Sequence, residues 1–284
     1  MNTPTTNAAL LVHACDRYEF LYKGFGYFFS RYWDDSAPCN YYFATEEIPC
    51  AVRGFTNIRS GKGEWSDRLR TLLQKAIKEE YVLYFQEDMW LDKPVNGKFI
   101  QQLIALAQQH KWNQVKLHSS EVYKTKETDI FIEGFNVTVV DNAASDFLMS
   151  HQVTLWRKDF LITQLPENEH PWRNERKGTK RLKKLNAPIH HADLFAENGK
   201  PAINNNRPGA VRSEYFTVSW NAMLSDDVLP YIAMLQKGNE EEQAYAKALQ
   251  THYENKLTHD GKPKPRKEDI FKKTKNWVRR KLGK

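Results

Sequence analysis

Glu87 and Asp88 follow a strand-like apolar run, Tyr81 to Phe85, in the stretch YVLYFQEDMWLDKP. An ordinary turn would use Gly, Pro or Asn at this point. Two neighbouring carboxylates are instead suited to hold a divalent cation through oxygen, as Mg²⁺ prefers when it also binds a diphosphate. The plain alternative is a solvated surface loop. Asp16 and Arg17 end an earlier apolar run, ALLVHACD, and Arg17 is suited to meet a phosphate or a base. If both runs are parallel strands of one open sheet, both groups lie beyond the carboxyl ends of the strands, where such sheets bind ligands.

The surrounding pattern supplies such a sheet. Residues 8–15 read as a buried strand, 18–33 as an aromatic amphipathic helix and 40–44 as a second strand. A loop with Pro49, Gly54, Gly61 and Gly63 follows. Trp65, Leu69, Leu72, Leu73, Ala76 and Ile77 recur at helical spacing over 65–79, and 97–110 repeats that pattern before a strand at 114–119. Strand and helix therefore alternate through the first 120 or so residues. The second half departs from this. Residues 129–141 alternate like antiparallel strands, and 151–156 run from a strand into a helix at 157–164. Pro171 suits a helix start, since its missing N–H costs nothing there. Residues 187–192 read as a strand, 197–213 as a mobile Gly-, Pro- and Asn-rich loop, and 226–257 as helical. A linker at 261–267 leads to a last helix at 268–282.

The 284 residues suffice for one sizeable domain with an appendage. Three cysteines and no CxxC argue against a disulfide framework or a zinc module. The start of the chain lacks the pattern of a secretory signal, and no run approaches the length of a membrane span. The chain therefore reads as cytoplasmic. Its net charge of +7 is uneven: residues 262–284 hold eleven Lys/Arg against two Asp/Glu, which leaves the body slightly acidic. A nucleic-acid partner would want a basic face on the folded body, so none is expected. In the tail, Ile270, Phe271, Trp277, Val278 and Leu282 share one face and basic residues the other. Such a helix suits an anionic membrane surface, making the protein peripheral at the inner face of the cell membrane, or else packs on the body.

The stretch YVLYFQEDMWLDKP resembles the metal-binding segment of GT-A-type glycosyltransferases, the nucleotide-diphospho-sugar transferase superfamily. In that family a hydrophobic strand ends in a DxD-like acidic motif. LLVHACDRYE resembles the family's first strand, whose end contacts the nucleotide base. SGKGEWSDRLRTLLQKAIKEEYVLYF resembles its helix-then-strand approach to the acidic motif. The likeness covers roughly residues 9–185 and extends to bacterial surface-polysaccharide glycosyltransferases. It implies an α/β fold of GT-A (Rossmann-like) type, a mostly parallel sheet flanked by helices. Residues 1–225 would form the catalytic domain and 226–284 a helical, basic extension. It also implies transfer of a sugar from a nucleotide-sugar donor to a saccharide or lipid-linked acceptor in lipopolysaccharide or capsule synthesis.

Residue by residue, the resemblance implies that Asp16, Arg17, Arg68, Gln86, Glu87 and Asp88 bind the donor. Asp88 and Glu87 would hold Mn²⁺ or Mg²⁺. Gln86 departs from the family's first Asp, which leaves metal dependence open. HQVTLWRKDFLITQLPENEHPWRNERKGTKR resembles the segment where a strand, an Arg and a helix precede an acidic residue on the next helix. In inverting members that residue is the general base, which by position is Glu175, with Glu167 and Glu169 as neighbouring rivals. Trp172 would stack on the acceptor sugar. The bland reading of Glu175 is a helix charge paired a turn away. Arg68, Arg157, Arg176 and Lys177 are available to neutralise a leaving diphosphate.

Weaker features are set aside. SGKGEWS lacks P-loop spacing and GFG at 24–26 lies in a helix. His190 and His191, with Asp193, suggest a metal pair, but adjacent residues of a strand point to opposite faces, which argues against a shared metal; in the GT-A family a late His can complete the metal shell, so the resemblance keeps one of the two as a minor candidate. Two rival functions remain: a sugar-phosphate nucleotidyltransferase, which would want a Gly-rich basic loop after the first strand, and a non-catalytic GT-A-fold binding protein.

Overall fold

A computed structural model describes residues 7–263; the expected helix at 268–282 lies outside them. β1 (Ala8–His13) passes through a 3-10 turn (Asp16–Tyr18) into α1 (Glu19–Tyr32). β2 (Asn40–Thr45) and β3 (Thr56–Arg59) precede α2 (Trp65–Lys75), and β4 (Tyr81–Phe85) turns directly into β5 (Met89–Leu91). α3 (Gly97–His110) leads to β6 (Gln114–His118), β7 (Thr125–Lys126), a hairpin of β8 (Phe131–Ile132) and β9 (Phe135–Asn136), and β10 (Thr138–Val140). Next come β11 (Thr154–Arg157), α4 (Lys158–Thr163), α5 (Pro171–Leu185), β12 (His190–Glu197) and β13 (Ser213–Thr217). A hairpin of β14 (Ser219–Trp220) and β15 (Met223–Leu224) precedes α6 (Leu229–Leu235) and α7 (Glu240–Glu254).

The main sheet has the order β3-β2-β1-β4-β11-β6-β12-β10-β7, with β13 pairing β12 and β5. β1 is parallel to β2 and β4, and β2 to β3. β11 lies antiparallel between β4 and β6, so these two point the same way, and β12 is parallel to β6. β1, β2, β3, β4, β6 and β12 therefore point to one rim. The α/β class expected from the alternating pattern is the one observed. Successive side chains on a strand face opposite ways. Leu10, Val12, Leu83 and Phe85 pack under α1, α3, α6 and α7. Ala9, Leu11, Val82 and Tyr84 pack under α2, α4 and α5.

Several segments differ from the sequence reading. The loop after β2 contains β3, because Thr56–Arg59 finds a parallel partner in Tyr42–Thr45. The helical stretch at 226–257 is broken: Asn239 caps α7, its side chain accepting from Glu242 N–H while Glu242 returns a bond to the Asn239 N–H. The segment read as a mobile loop is fastened. Glu197 belongs to β12 and Ser213 to β13. Between them the buried Asp193 carboxylate accepts the N–H groups of Ile203 (3.0 Å) and Asn204 (2.7 Å). Arg212 donates to the carbonyls of Asp193 and Lys200, both at 3.0 Å. Asp193 is too far along the chain to reveal this by local pattern.

Residues 226–254 do not stand apart from the sheet. Tyr231 and Tyr245 share its apolar core. Tyr231 donates to the Trp90 carbonyl (2.6 Å) and Tyr245 to the Phe20 carbonyl (2.9 Å). Trp90 is fully buried, stacked on Phe28 at 5.3 Å. Its indole occupies the space where a Cβ on Gly24 would sit. Gly24→Ala should therefore destabilise the protein by about 3 kcal/mol, the upper part of the range for overpacked cores. Chemical denaturation checks this, and an unchanged midpoint would mean that Trp90 repacks freely.

Candidate functional site

The acidic end of β4 is drawn inward. The Met89 N–H bonds the Gln86 carbonyl (3.2 Å), closing a tight turn, and the Trp90 indole N–H bonds the Glu87 carbonyl (3.1 Å). The Glu87 side chain is buried and accepts the Cys15 N–H at 3.3 Å. Burial, and then the neighbouring Asp88, hold its carboxyl well above the usual range, against the Cys15 N–H and Arg68. Burial pushes the Asp88 carboxyl up to about 7. Among the described residues Asp88 Oδ1 is buried without a hydrogen-bond partner, which is costly for an acceptor unless something binds it. Gln86 is half-buried beside it.

The other residues expected at the donor site divide in two. Asp16 fastens a loop: its carboxylate accepts the N–H groups of Glu46 (2.8 Å), Glu47 (2.8 Å) and Ile48 (3.0 Å). Arg68, buried on α2, pairs with Glu46 at 2.9 Å, while its Nε has no hydrogen-bond partner among the described residues. Arg17 is exposed and lines a cavity of about 490 Å³ with Phe20, His252, His259 and Asp260. Arg157 ends β11, whose reversed direction carries it to the opposite edge of the sheet, opposite Tyr81. There it pairs with Asp159 at 2.6 Å. Arg176 and Lys177 are exposed, and Lys177 lies 3.7 Å from Glu169.

Glu175 sits on the same rim. Gly178 lets α5 close on the preceding loop, since a Cβ there would lie 2.7 Å from Met149 Cγ. Thr179 Oγ1 accepts the N–H groups of Leu148 and Met149, each at 3.2 Å. The Glu175 carboxylate accepts the His151 N–H at 3.1 Å. Glu175 then lines a cavity of about 160 Å³ with Tyr123, Phe147, Ser150, Gln152 and Glu197. Burial raises its pKa, the His151 N–H and Lys116 lower it, and Glu197 raises it. Its rivals are engaged elsewhere: Glu169 accepts from Asn174 (2.8 Å) and Arg181 (3.1 Å), and Glu167 is exposed beside Arg70. Trp172 is 64% exposed, edge-on to His170, and lines neither cavity.

Sequence reasoning missed Lys116. It is fully buried on β6, and its ammonium donates to Ser150 Oγ (3.1 Å) and lies 4.7 Å over the Tyr123 ring. Burial pushes it down to about 7, opposed by the Glu175 charge. Tyr123 in turn bonds His118 Nε2 at 2.8 Å. The signal was present in QVKLHS: Gln114, Lys116 and His118 give one face of a central strand three polar residues. Tyr215 was also missed. It donates to Gln152 (2.8 Å), and its hydroxyl is held far above the usual range by burial and then by charges that include Glu197 and Asp88.

Asp88 fits a divalent cation in one respect, its orphaned oxygen. Among the described residues no group of three or more His, Cys, Asp or Glu side chains is placed to hold a metal. A cation there would need substrate oxygens to complete its shell, as Mg²⁺ commonly does. His190 stacks on Trp112 at 4.2 Å, and His191 is buried against the His118 carbonyl (3.0 Å) and Asn204 (3.0 Å), so neither faces Asp88.

No protein-family model matches this chain, and no curated protein matches it. Among solved structures it is similar to S. aureus TarS at 10% identity and a TM-score of 0.45, over 88% of this chain and 43% of that one. The TarS fragment 1–349 in complex with UDP-GlcNAc gives 12% identity and 0.44, over 86% and 70%. UDP-glucose pyrophosphorylase complexed with UDP-glucose gives 12% and 0.40, over 66% and 90%. The chain spans less than half of full-length TarS. At these scores no residue role is transferred from any of them. Among the described residues no helix is long and apolar enough to cross a membrane.

Asp88 makes stability depend on pH. Its folded-state carboxyl is raised, so the folded chain holds the proton more tightly than the unfolded chain does. Stability therefore falls as pH rises from the ordinary Asp range to about 7. Asp88→Asn should melt above wild type at about pH 8 and converge with it near pH 4. At the higher pH, Mn²⁺ should raise the wild-type melting temperature and leave Asp88→Asn unmoved. Parallel melting curves, blind to pH and Mn²⁺, would mean that Asp88 is solvated.

Proposed function

We propose that this protein is a glycosyltransferase that moves a sugar from a nucleotide-diphospho-sugar to a saccharide or lipid-linked acceptor with inversion. The observation that carries this reading is the placement of two different carboxylates on one rim. Asp88 has a buried oxygen with no hydrogen-bond partner among the described residues, and Glu175 faces a separate polar cavity. Inverting transfer needs such a division: charge at the leaving diphosphate, and a base on the opposite face of the sugar.

In this mechanism the donor diphosphate lies over the β4 turn and Arg17 meets the nucleotide. A divalent cation held by Asp88, with Glu87 behind it, would neutralise charge on the leaving group when bound. Arg68 adds a fixed positive charge beside the same turn. Glu175, oriented by the His151 N–H, takes the proton of the attacking acceptor hydroxyl. Lys116 favours the ionised form of Glu175 that this step requires. The acceptor belongs to a bacterial surface polysaccharide, lipopolysaccharide or capsule. The basic segment 262–284 would bring the enzyme to the inner face of the membrane that carries lipid-linked acceptors.

Isothermal titration with UDP-, GDP- and CMP-sugars, with and without Mn²⁺, tests the donor half. At least one should bind, and silence from all would sink the transferase reading. Glu175→Gln should keep donor affinity and lose transfer by a factor of about 10² or more; unchanged turnover would move the base elsewhere. The rate should fall as pH drops through the raised Glu175 pKa. Lys116→Met should move that acid limb to higher pH, because it removes the charge that lowers the pKa. An unmoved limb would separate Lys116 from the base.

A further inference from the structure

The cavity lined by Glu175 has a definite chemical character. Its volume of about 160 Å³ is roughly the share of five waters at ~30 Å³ each, enough for one small ring bearing hydroxyls. One wall is Phe147, 44% exposed. The polar groups that share the lining are already half-used, which fixes what they can offer. One Glu175 oxygen accepts the His151 N–H, leaving the other to accept. Glu197 Oε2 accepts from Lys200 at 3.0 Å, leaving Oε1. Gln152 Oε1 accepts from the Tyr215 hydroxyl, so its amide group presents donors.

The cavity therefore offers carboxylate acceptors, an amide donor and an aromatic face. Hydroxyl groups satisfy the first two, and the C–H face of a ring packs on the third. The charge balance excludes other sugars. Two carboxylates line the space, and its lining cation, Lys200, is already paired. Lys116 is buried beneath Ser150 and Tyr123. The Glu197–Lys200 pair is near neutral and Lys116 offsets Glu175, so a carboxylate or a phosphate would find no uncommitted cation among the lining residues to offset its desolvation.

We propose that this cavity is a subsite for one neutral sugar ring, stacked on Phe147 and read by Gln152 and Glu197, and that it rejects anionic sugars. The inference rests on the reading that Glu175 faces the acceptor. It makes Phe147, rather than Trp172, the stacking platform, and it narrows the acceptor's reacting end to an uncharged unit.

Saturation-transfer NMR on the full chain without donor tests it. The probes are the methyl β-glycosides of glucose, galactose and N-acetylglucosamine, together with glucuronate and glucose 6-phosphate. At least one neutral probe should bind, with affinity on the order of millimolar for so small a ligand. Phe147→Ala should weaken it by about fivefold, and Glu197→Gln should weaken it comparably. The two anions should give no signal. Phe147 is partly exposed, so its variant should retain the wild-type circular dichroism. No neutral binder, equal binding by glucuronate, or binding indifferent to both substitutions would overturn the subsite. Donor titration is scored separately. Donor binding without sugar binding removes this subsite alone, and sugar binding without donor binding removes the transfer reading alone.

Discussion

The site depends on the burial of Trp90. Its indole fills the space left by the missing side chain of Gly24 and packs on Phe28 and Tyr231. With Met89 and Leu91 it forms β5, held by β13. The chain cannot swing into solvent after β4, so Glu87 and Asp88 must turn within the protein. Low dielectric surroundings disfavour two adjacent negative charges. Glu87 is partly compensated by the Cys15 N–H, whereas Asp88 keeps an oxygen with no hydrogen-bond partner among the described residues. An apolar packing demand thus creates the polar site.

The charged groups around the rim fall into two physical kinds. Asp16, Glu46, Asp193 and Arg212 have their hydrogen-bonding capacity taken by backbone groups and one another, and they hold loops. Asp88, Glu175, Glu197 and Lys116 are buried or half-buried with capacity to spare or with perturbed ionisation. Lys116 and Glu175 are pushed towards their neutral forms by burial and towards their charged forms by each other. Such opposed environments let one fold tune the ionisation of a buried group. The antiparallel β11 matters here, because it brings His151 and Gln152 to the rim from their N-terminal side and sends Arg157 to the far edge.

The order of strands and helices was legible because apolar periodicity is local: β1, α1, β4, α3 and β6 all stand where the pattern puts them. The acidic turn was legible for the same reason, as an interruption in a buried run. β3, β5 and β13 were not, since each is short and becomes a strand only by finding a partner distant in sequence. The fastening of residues 200–212 was hidden in the same way, resting on Asp193 and Arg212.

By itself the sequence determined which residues are able to do chemistry. It set Glu87 and Asp88 after a buried strand, Glu175 on a Pro-initiated helix, and three polar residues on one face of a central strand. The tertiary structure decided which of them remain available. It spent Asp16 on a loop and Glu169 on Arg181, sent Arg157 to the wrong edge, and buried Lys116 within the field of Glu175. The reason is physical. Side-chain type and local spacing are written along the chain, but desolvation and hydrogen-bond saturation depend on neighbours that only folding supplies.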